Sequence, residues 1–224
     1  MSPRRNRRRN QYNQPYYGYG GSLGHYSNQV YFMNSGIKVD QLSRLTLISD
    51  ISGSEKWGIR QLFQRSINQN RVTNEIVPYF LEEGSRVFFN PLTIAVVPFK
   101  NNVVNEDYTH QTNTITEGEH EWLEIEAKPY YKFRMSQPDT DQSELHINDR
   151  VKLVAIDGQH RLRALKDIQM LSSGDDNFDR TGEVDFENWT IPVVFMILNP
   201  MPERGSYKFK YLESLREIFV TITC

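Results

Sequence analysis

The residues best suited to chemistry form a strand–turn–helix junction at 157–161. A run of apolar residues ends at Asp157, Gly158 supplies a turn, and a helical pattern follows at once. The first N–H groups of a helix have no partner inside the helix, and with the helix dipole they favour a bound anion, typically a phosphate. Gly158 has no Cβ, so an anion could approach the backbone closely at this point.

Three side chains in the turn could add to such a site. His160 and Arg161 supply donors, and Arg can bind a phosphate through two parallel hydrogen bonds. Asp157 would repel a phosphate unless it is neutralised, so we expect it to cap the helix, to hold Arg161 or to coordinate Mg²⁺. Spacing alone equally allows a purely structural turn, in which Asp157 caps, His160 lies at the surface and Arg161 pairs with a carboxylate.

The elements that would position this turn follow from the hydrophobic pattern. Apolar runs of strand-forming residues indicate buried strands, and apolar residues at helical spacing indicate helices, one of them with Thr73 as its cap. Strands are predicted at 87–97, 122–125, 130–133, 151–156 and 190–198, and helices at 54–69, 73–84, 159–171 and 211–219. The polar stretch 101–120 predicts a loop. The irregular alternation of strands and helices predicts a mixed α/β or α+β domain.

The N-terminal residues differ in composition from the rest of the chain. Residues 1–27 are rich in Arg, Tyr and Gly and poor in aliphatic residues, so we predict a disordered arm before a domain at 28–224. The 224-residue chain has 26 Lys and Arg against 28 Asp and Glu, a net charge of −2, and the remainder carries −7 once the arm's arginines are removed. The arm could contact DNA phosphates through Arg4, Arg5, Arg7, Arg8 and Arg9.

Several classes of protein do not fit the sequence. The only cysteine is Cys224, which excludes an intramolecular disulfide and a cysteine-based zinc cage. No stretch of about 18 consecutive apolar residues is present, so we expect no membrane span and a cytoplasmic location. His110 and His120 lie in the polar stretch without the spacing of a metal site, so no resident metal is predicted there.

The five residues at 157–161 spell the full signature of the DGQHR-domain family, which includes DndB-like regulators of DNA phosphorothioate modification. The order of elements also resembles the ParB/sulfiredoxin-like fold, a mixed sheet with flanking helices. Arg71 before a helix and Asn90-Pro91 before a strand stand at positions typical of that fold. The resemblance covers roughly residues 42–223. Relatives usually continue further, so it implies that the 28–224 domain is incomplete at its C-terminus.

The resemblance implies a nucleotide site. In ParB the corresponding turn binds the phosphates of CTP, and in sulfiredoxin a Gly-Cys-His-Arg turn binds those of ATP. Carried over, Gly158, Gln159, His160 and Arg161 are expected to bind the phosphates of ATP or CTP, with Arg71 as a further contact and Asp157 as a Mg²⁺ ligand. Gln159 stands where sulfiredoxin has its catalytic cysteine, which excludes sulfinic-acid reduction.

Three functions remain open from the sequence. The first is a nucleotide-binding regulatory or accessory protein that acts with DNA-modification proteins in a modification or defence system. The second is an enzyme, a weak NTPase or phosphotransfer module that uses Asp157 or His160 as its catalytic residue. The third is a DNA-binding transcriptional regulator that needs no nucleotide, whose turn would hold a phosphate of DNA.

Deleting residues 2–10 should abolish non-specific DNA binding and leave the melting temperature almost unchanged, because the acidic remainder repels a phosphate backbone. Five arginines predict a salt slope of at most ~4.5 on duplex DNA and ~3.5 on single strands. Titrations of DNA at several salt concentrations measure this slope. A deleted form that binds with the same slope as the full chain would place the contact on the domain.

Overall fold

The structure is a computed structural model that describes residues 12–24, 29–52, 54, 67–82, 84, 86–106, 108–137, 142–172, 186–198 and 211–223. Strands are the main element within these ranges. They are β1 Gln14–Leu23, β2 Val30–Lys38, β3 Leu45–Leu47, β4 Leu92–Lys100, β5 Val103–Val104, β6 Gln111–Glu117, β7 His120–Ala127, β8 Tyr131–Gln137, β9 Ser143–Ile147, β10 Val151–Asp157 and β11 Thr190–Leu198.

Three helices accompany the strands in the described residues. Helix α1 spans 69–81 and contains a π-helical segment, Val72–Ile76, between α-helical Gln69–Arg71 and Val77–Leu81. Helix α2 is Gln159–Ser172 and helix α3 is Tyr211–Thr223, which confirms the helices predicted at 159–171 and 211–219. Short 3₁₀ turns occur at Val39–Arg44, Ile48–Asp50 and Phe186–Asn188.

The start of α1 lies earlier than the sequence predicted. The side chain of Asn68 accepts a hydrogen bond from the Arg71 N–H at 3.1 Å and caps the helix, so Thr73 lies inside the helix rather than at its cap. Asn is as good a cap as Ser or Asp, and here it lies four residues before the first buried residue of the helix. The helix predicted at 54–69 lies largely outside the described residues.

The strands form a mixed sheet in the order β3-β10-β4-β11-β2-β1-β9-β8-β7-β6, with β5 added to β4. The pairs β10–β3 and β11–β4 are parallel and the other pairs are antiparallel. This confirms the mixed α/β class and the strands predicted at 122–125, 130–133, 151–156 and 190–198. The ParB/sulfiredoxin-like arrangement stays a prediction.

The sheet curls so that one of its faces forms a common core. The rings of Tyr31 on β2 and Phe133 on β8 are 6.2 Å apart, although these strands are three places apart in the sheet. In a flat sheet with a strand spacing of about 4.8 Å the two strands would be roughly 14 Å apart. Both residues are almost fully buried. The apolar face of the sheet therefore closes on itself.

Strand β1 corrects the predicted disorder of residues 1–27. Residues 14–23 of that arm form a strand between β2 and β9, where Gly18 pairs with Ser35 on one side and Ser143 on the other. The ring of Tyr16 is buried 4.8 Å from that of Phe195. Backbone pairing with β9 along residues 14–18 and with β2 along residues 18–23, together with a buried tyrosine, offsets the ordering entropy without a buried aliphatic residue. Residues 1–11, with the five arginines, lie outside the described residues.

The glycines of β1 allow its neighbours to approach closely. A Cβ on Gly18 would lie 2.0 Å from the backbone oxygen of Asn34, and a Cβ on Gly20 would lie 2.4 Å from Oγ of Ser143. Neither distance is possible for a side chain without movement of the adjacent strands. The glycine content that indicated disorder is therefore a packing requirement of the sheet.

The loop predicted at 101–120 is also wrong, because β5, β6 and the start of β7 lie there. Most side chains of β6 are exposed, so the strand shows no apolar alternation in the sequence. The strand predicted at 87–97 begins instead at Leu92, after Pro91. His110, just before β6, contacts the hydroxyl of Tyr131, and burial raises the pKa of that phenol well above its usual value.

Replacing Gly18 by Val should lower the free energy of unfolding by about 1–3 kcal/mol, because the new side chain would overpack the contact with β2. The matched control is Tyr19→Val, whose native side chain is 66% exposed on the same strand. Chemical denaturation of the three proteins measures the difference. Equal stability of the Gly18→Val and Tyr19→Val proteins would contradict the central position of β1.

Candidate phosphate-binding site

The signature turn follows directly from a strand of the sheet. Strand β10 pairs with β4 up to Asp157, which lies opposite Thr93 after an irregularity in the register beyond Ala155. Gly158 then adopts a φ of +78°, a value that favours glycine, and α2 begins at the next residue. The N–H of Leu162 donates to the Gly158 carbonyl at 2.8 Å. One residue thus converts the strand into the helix, as predicted.

Gly158 leaves no room for a side chain. A Cβ at this position would lie 2.6 Å from Cδ2 of Leu92 and 2.9 Å from Nη2 of Arg161. A glycine immediately before a helix also has no side chain that could cap it. The first-turn N–H groups of α2 therefore receive no side-chain cap from the residue that precedes them.

Arg161 ties the start of α2 to the segment that precedes β4. Its Nη1 donates to the backbone oxygen of Asn90, and its Nη2 lies 3.5 Å from Oδ2 of Asp157. The Arg161 side chain is 21% exposed and that of Asp157 is 54% exposed. Among the roles predicted for Asp157, the contacts support holding Arg161. The pairing also offsets part of the negative charge that Asp157 would present to a phosphate.

His160 joins the starts of the two helices. Its Nε2 accepts a hydrogen bond from the Asn68 backbone N–H at 3.0 Å, so in this state the ring proton is on Nδ1. The Asn68 side chain caps α1, and the Gln69 side chain donates to Asp167 of α2 at 3.3 Å. The N-termini of α1 and α2 therefore lie side by side.

The other predicted site residues differ in their distance from the turn and in their exposure. Gln159 is half-buried in the first turn of α2. Arg71 is exposed in the first turn of α1, and its Nε lies 3.5 Å from Oε2 of Glu75. The arginines at 4, 5, 7, 8 and 9 lie outside the described residues. The turn itself thus brings together the residues at 157–161, with Arg71 on the adjacent helix.

A divalent cation would find few ligands at this turn. In the part of the chain that the structure describes, no group of three or more His, Cys, Asp and Glu residues could hold a metal ion. Asp157 would be the carboxylate ligand from the turn. Mg²⁺ is commonly held by one or two carboxylates together with the phosphates of a nucleotide, so Asp157 would hold it only alongside such phosphates.

Sequence reasoning missed Asn68 as part of the site. An Asn in front of a helical run is a typical cap signal, and applying it at residue 68 would have placed the start of α1 beside the turn. Asn90 was noted only for its place before a strand. It binds Arg161 through its backbone oxygen, which any residue supplies, so its residue type carries no signal for this contact.

Comparison with protein families supplies the identification. A family model described as "DndB: DNA-sulfur modification-associated" matches residues 31–210. The match runs from the second residue of β2 to the residue before α3 and includes the whole 157–161 turn. The chain belongs to the DndB family. This family connects the chain with DNA sulfur modification, in a regulatory or accessory role.

The remaining comparisons and the helices add two facts about this DndB-family chain. Comparison with curated proteins and with solved structures gives no match. Within the described ranges, no helix combines the length and the apolar character needed to cross a membrane.

Replacing Arg161 by Gln should lower the free energy of unfolding by about 1.5–3 kcal/mol, because the guanidinium would no longer bind Asn90 and Asp157. The matched control is Arg163→Gln on the same helix. The Arg163 side chain is 39% exposed and forms an ion pair with Asp167. That change should cost at most about 1 kcal/mol, the range for a surface ion pair. Urea denaturation measures the free energy of unfolding of the two variants. Equal losses of stability would contradict an anchoring role for Arg161.

Proposed function

We propose that this DndB-family chain is a cytoplasmic regulatory or accessory component of a DNA sulfur-modification system, and that it binds a nucleoside triphosphate at the 157–161 turn. The family supports the first part of the proposal. One observation supports the second part. A 14-residue helix begins, directly after a buried strand, at a glycine that has no room for a side chain.

Backbone N–H groups are the main phosphate donors in this proposal. Both terminal nitrogens of Arg161 contact protein oxygens, so Arg161 acts as a positioning residue that holds the turn in place. The first turn of α2, which begins at Gln159, then faces the phosphate, aided by the dipole of α2. A hydrogen bond to a charged group contributes about 1.5–3 kcal/mol, so two or three such bonds are enough for micromolar affinity.

The surroundings of the turn determine how negative charge would be balanced. Arg161 offsets Asp157, and Mg²⁺ bound between Asp157 and the phosphates would offset the rest. Arg71 lies on the neighbouring helix start and is exposed, so its guanidinium is free to turn from Glu75 toward a bound triphosphate. ATP and CTP are the nucleotides that the resemblance implies, and the two share this phosphate chemistry.

The contacts at the turn favour binding over catalysis. Nε2 of His160 already accepts a hydrogen bond from Asn68, and Asp157 contacts Arg161. Both groups are therefore engaged in contacts that hold the turn. We therefore propose that the chain binds nucleotide without hydrolysing it. Hydrolysis of the bound nucleotide would instead support the enzymatic function.

ATP or CTP should stabilise the native chain by about 2.7 kcal/mol at a concentration of ~100 times the dissociation constant. Thermal-shift and calorimetric titrations with each nucleotide, with and without Mg²⁺, measure this effect. Gly158→Ala should remove the stabilisation, because its Cβ would displace Leu92 and Arg161 and so distort the turn.

The control for Gly158→Ala is Gly84→Ala. Gly84 has nearly the same φ, +77°, but a Cβ there would meet nothing within 4 Å. Both variants place an alanine at a positive φ, so the backbone strain is similar in the two. Only Gly158→Ala, which changes the turn, should reduce nucleotide binding. Equal nucleotide responses of the two variants would contradict the site, and release of diphosphate from bound triphosphate would support an enzyme.

A further inference from the structure

The two edges of the sheet are protected to very different degrees. At one edge, β3 is only three residues long, and Nζ of Lys166 donates to the backbone oxygen of Leu45 at 2.6 Å. At the other edge, β6 has seven residues and, among the described residues, pairs with β7 alone. The first edge is short and covered, whereas the second presents a full row of backbone groups.

Strand β6 lacks three of the features that block edge pairing, namely proline, lysine and a bulge. Its sequence QTNTITE contains no Pro and no Lys, and its register with β7 runs without a bulge from the Gln111↔Glu126 pair to the Glu117↔His120 pair. Six of its seven side chains are exposed. A regular and accessible edge strand is a template for pairing with another strand.

The sequence of β6 is complementary to itself in the antiparallel direction. With Thr114 on a two-fold axis, Thr112 lies opposite Thr116 of the partner subunit, and Gln111 lies opposite Glu117 of the partner subunit. Thr–Thr pairs and an amide–carboxylate pair are favourable across antiparallel strands, and no two like charges face each other. We propose that β6 pairs with β6 of a second copy of this chain, so that the two sheets continue into one.

The single charge on β6 is held within its own sheet. Oε2 of Glu117 lies 2.7 Å from Nη2 of Arg134 on β8, whose side chain is only 14% exposed. Arg134 also lies 4.8 Å over the ring of Trp122, and its Nε and Nη1 lie near Glu124 and Glu144. The ion pair with Arg134 offsets the negative charge of Glu117, whose carboxylate lies opposite Gln111 of the partner subunit in the proposed pairing.

The proposed contact is small, and this determines how it would be observed. One pair of seven-residue strands buries less area than the roughly 1,200–2,000 Å² of a stable interface, so the dimer should form at micromolar concentrations and dissociate on dilution. Sedimentation of the full chain should show an increase with concentration toward twice the 26.3 kDa mass of the chain. A chain that remains monomeric up to ~100 μM would overturn the proposal, because micromolar association would then be nearly complete.

A charge on the two-fold axis tests the location of the contact. Thr114→Lys should place two ammonium groups opposite each other and raise the dimer dissociation constant at least about tenfold, since like charges across strands repel. Tyr19→Lys is the control, because Tyr19 is an exposed strand residue away from the sheet edge. If Thr114→Lys dimerises as well as Tyr19→Lys, the contact lies elsewhere and the proposal is wrong.

A crosslink across the axis tests the register. In a chain with Cys224→Ser, Thr114→Cys should form a covalent dimer under mild oxidation, because paired Cα atoms lie about 4.5–5.5 Å apart, within disulfide reach. Val103→Cys, at an exposed position of another strand, should form much less covalent dimer. Hydrogen exchange should show protection of β6 amides that increases with concentration. Protection already complete in the monomer would mean that another segment of the chain covers β6, which would overturn the proposal.

Discussion

The rest of the structure depends on the pairing of β1 with β2 on one side and β9 on the other. In the order of the sheet, β3, β10, β4, β11 and β2 lie on one side of β1, and the meander from β9 to β6 lies on the other. The two groups meet across β1, where Gly18 brings the backbone of β2 within a distance that no side chain would allow. The curl that places Tyr31 beside Phe133 crosses this strand, so the common core requires it.

The candidate site combines three segments that are distant in the sequence. The start of α1 contacts His160, the segment before β4 accepts a hydrogen bond from Arg161, and the turn itself continues from β10. Because β10 and β4 are adjacent in the sheet, the ends of these elements meet at one place. The side chains of His160 and Arg161 hold the turn in this arrangement.

Membership in the DndB family and the geometry of the turn give different kinds of information about function. The family connects the chain with DNA sulfur modification. The turn suggests how such a component could respond to the cell, since nucleotide binding at the junction of α1, α2 and β4 would reach the sheet directly. Charge is also divided along the chain, because the arginines near its start contrast with an acidic remainder.

The sequence by itself determined the elements whose apolar pattern is strong. β7, β8, β10, β11, α2 and α3 lie where it predicts them, and so does the glycine turn before α2, because local periodicity and a signature of five residues are readable without neighbours. The tertiary structure decided the contacts of Arg161 and His160, since their partners are backbone atoms whose positions no residue type reveals. It also decided β1 and β6. Most of their residues are polar, aromatic or glycine, and they form strands because adjacent strands satisfy their backbone groups and, in β1, because glycine permits that approach.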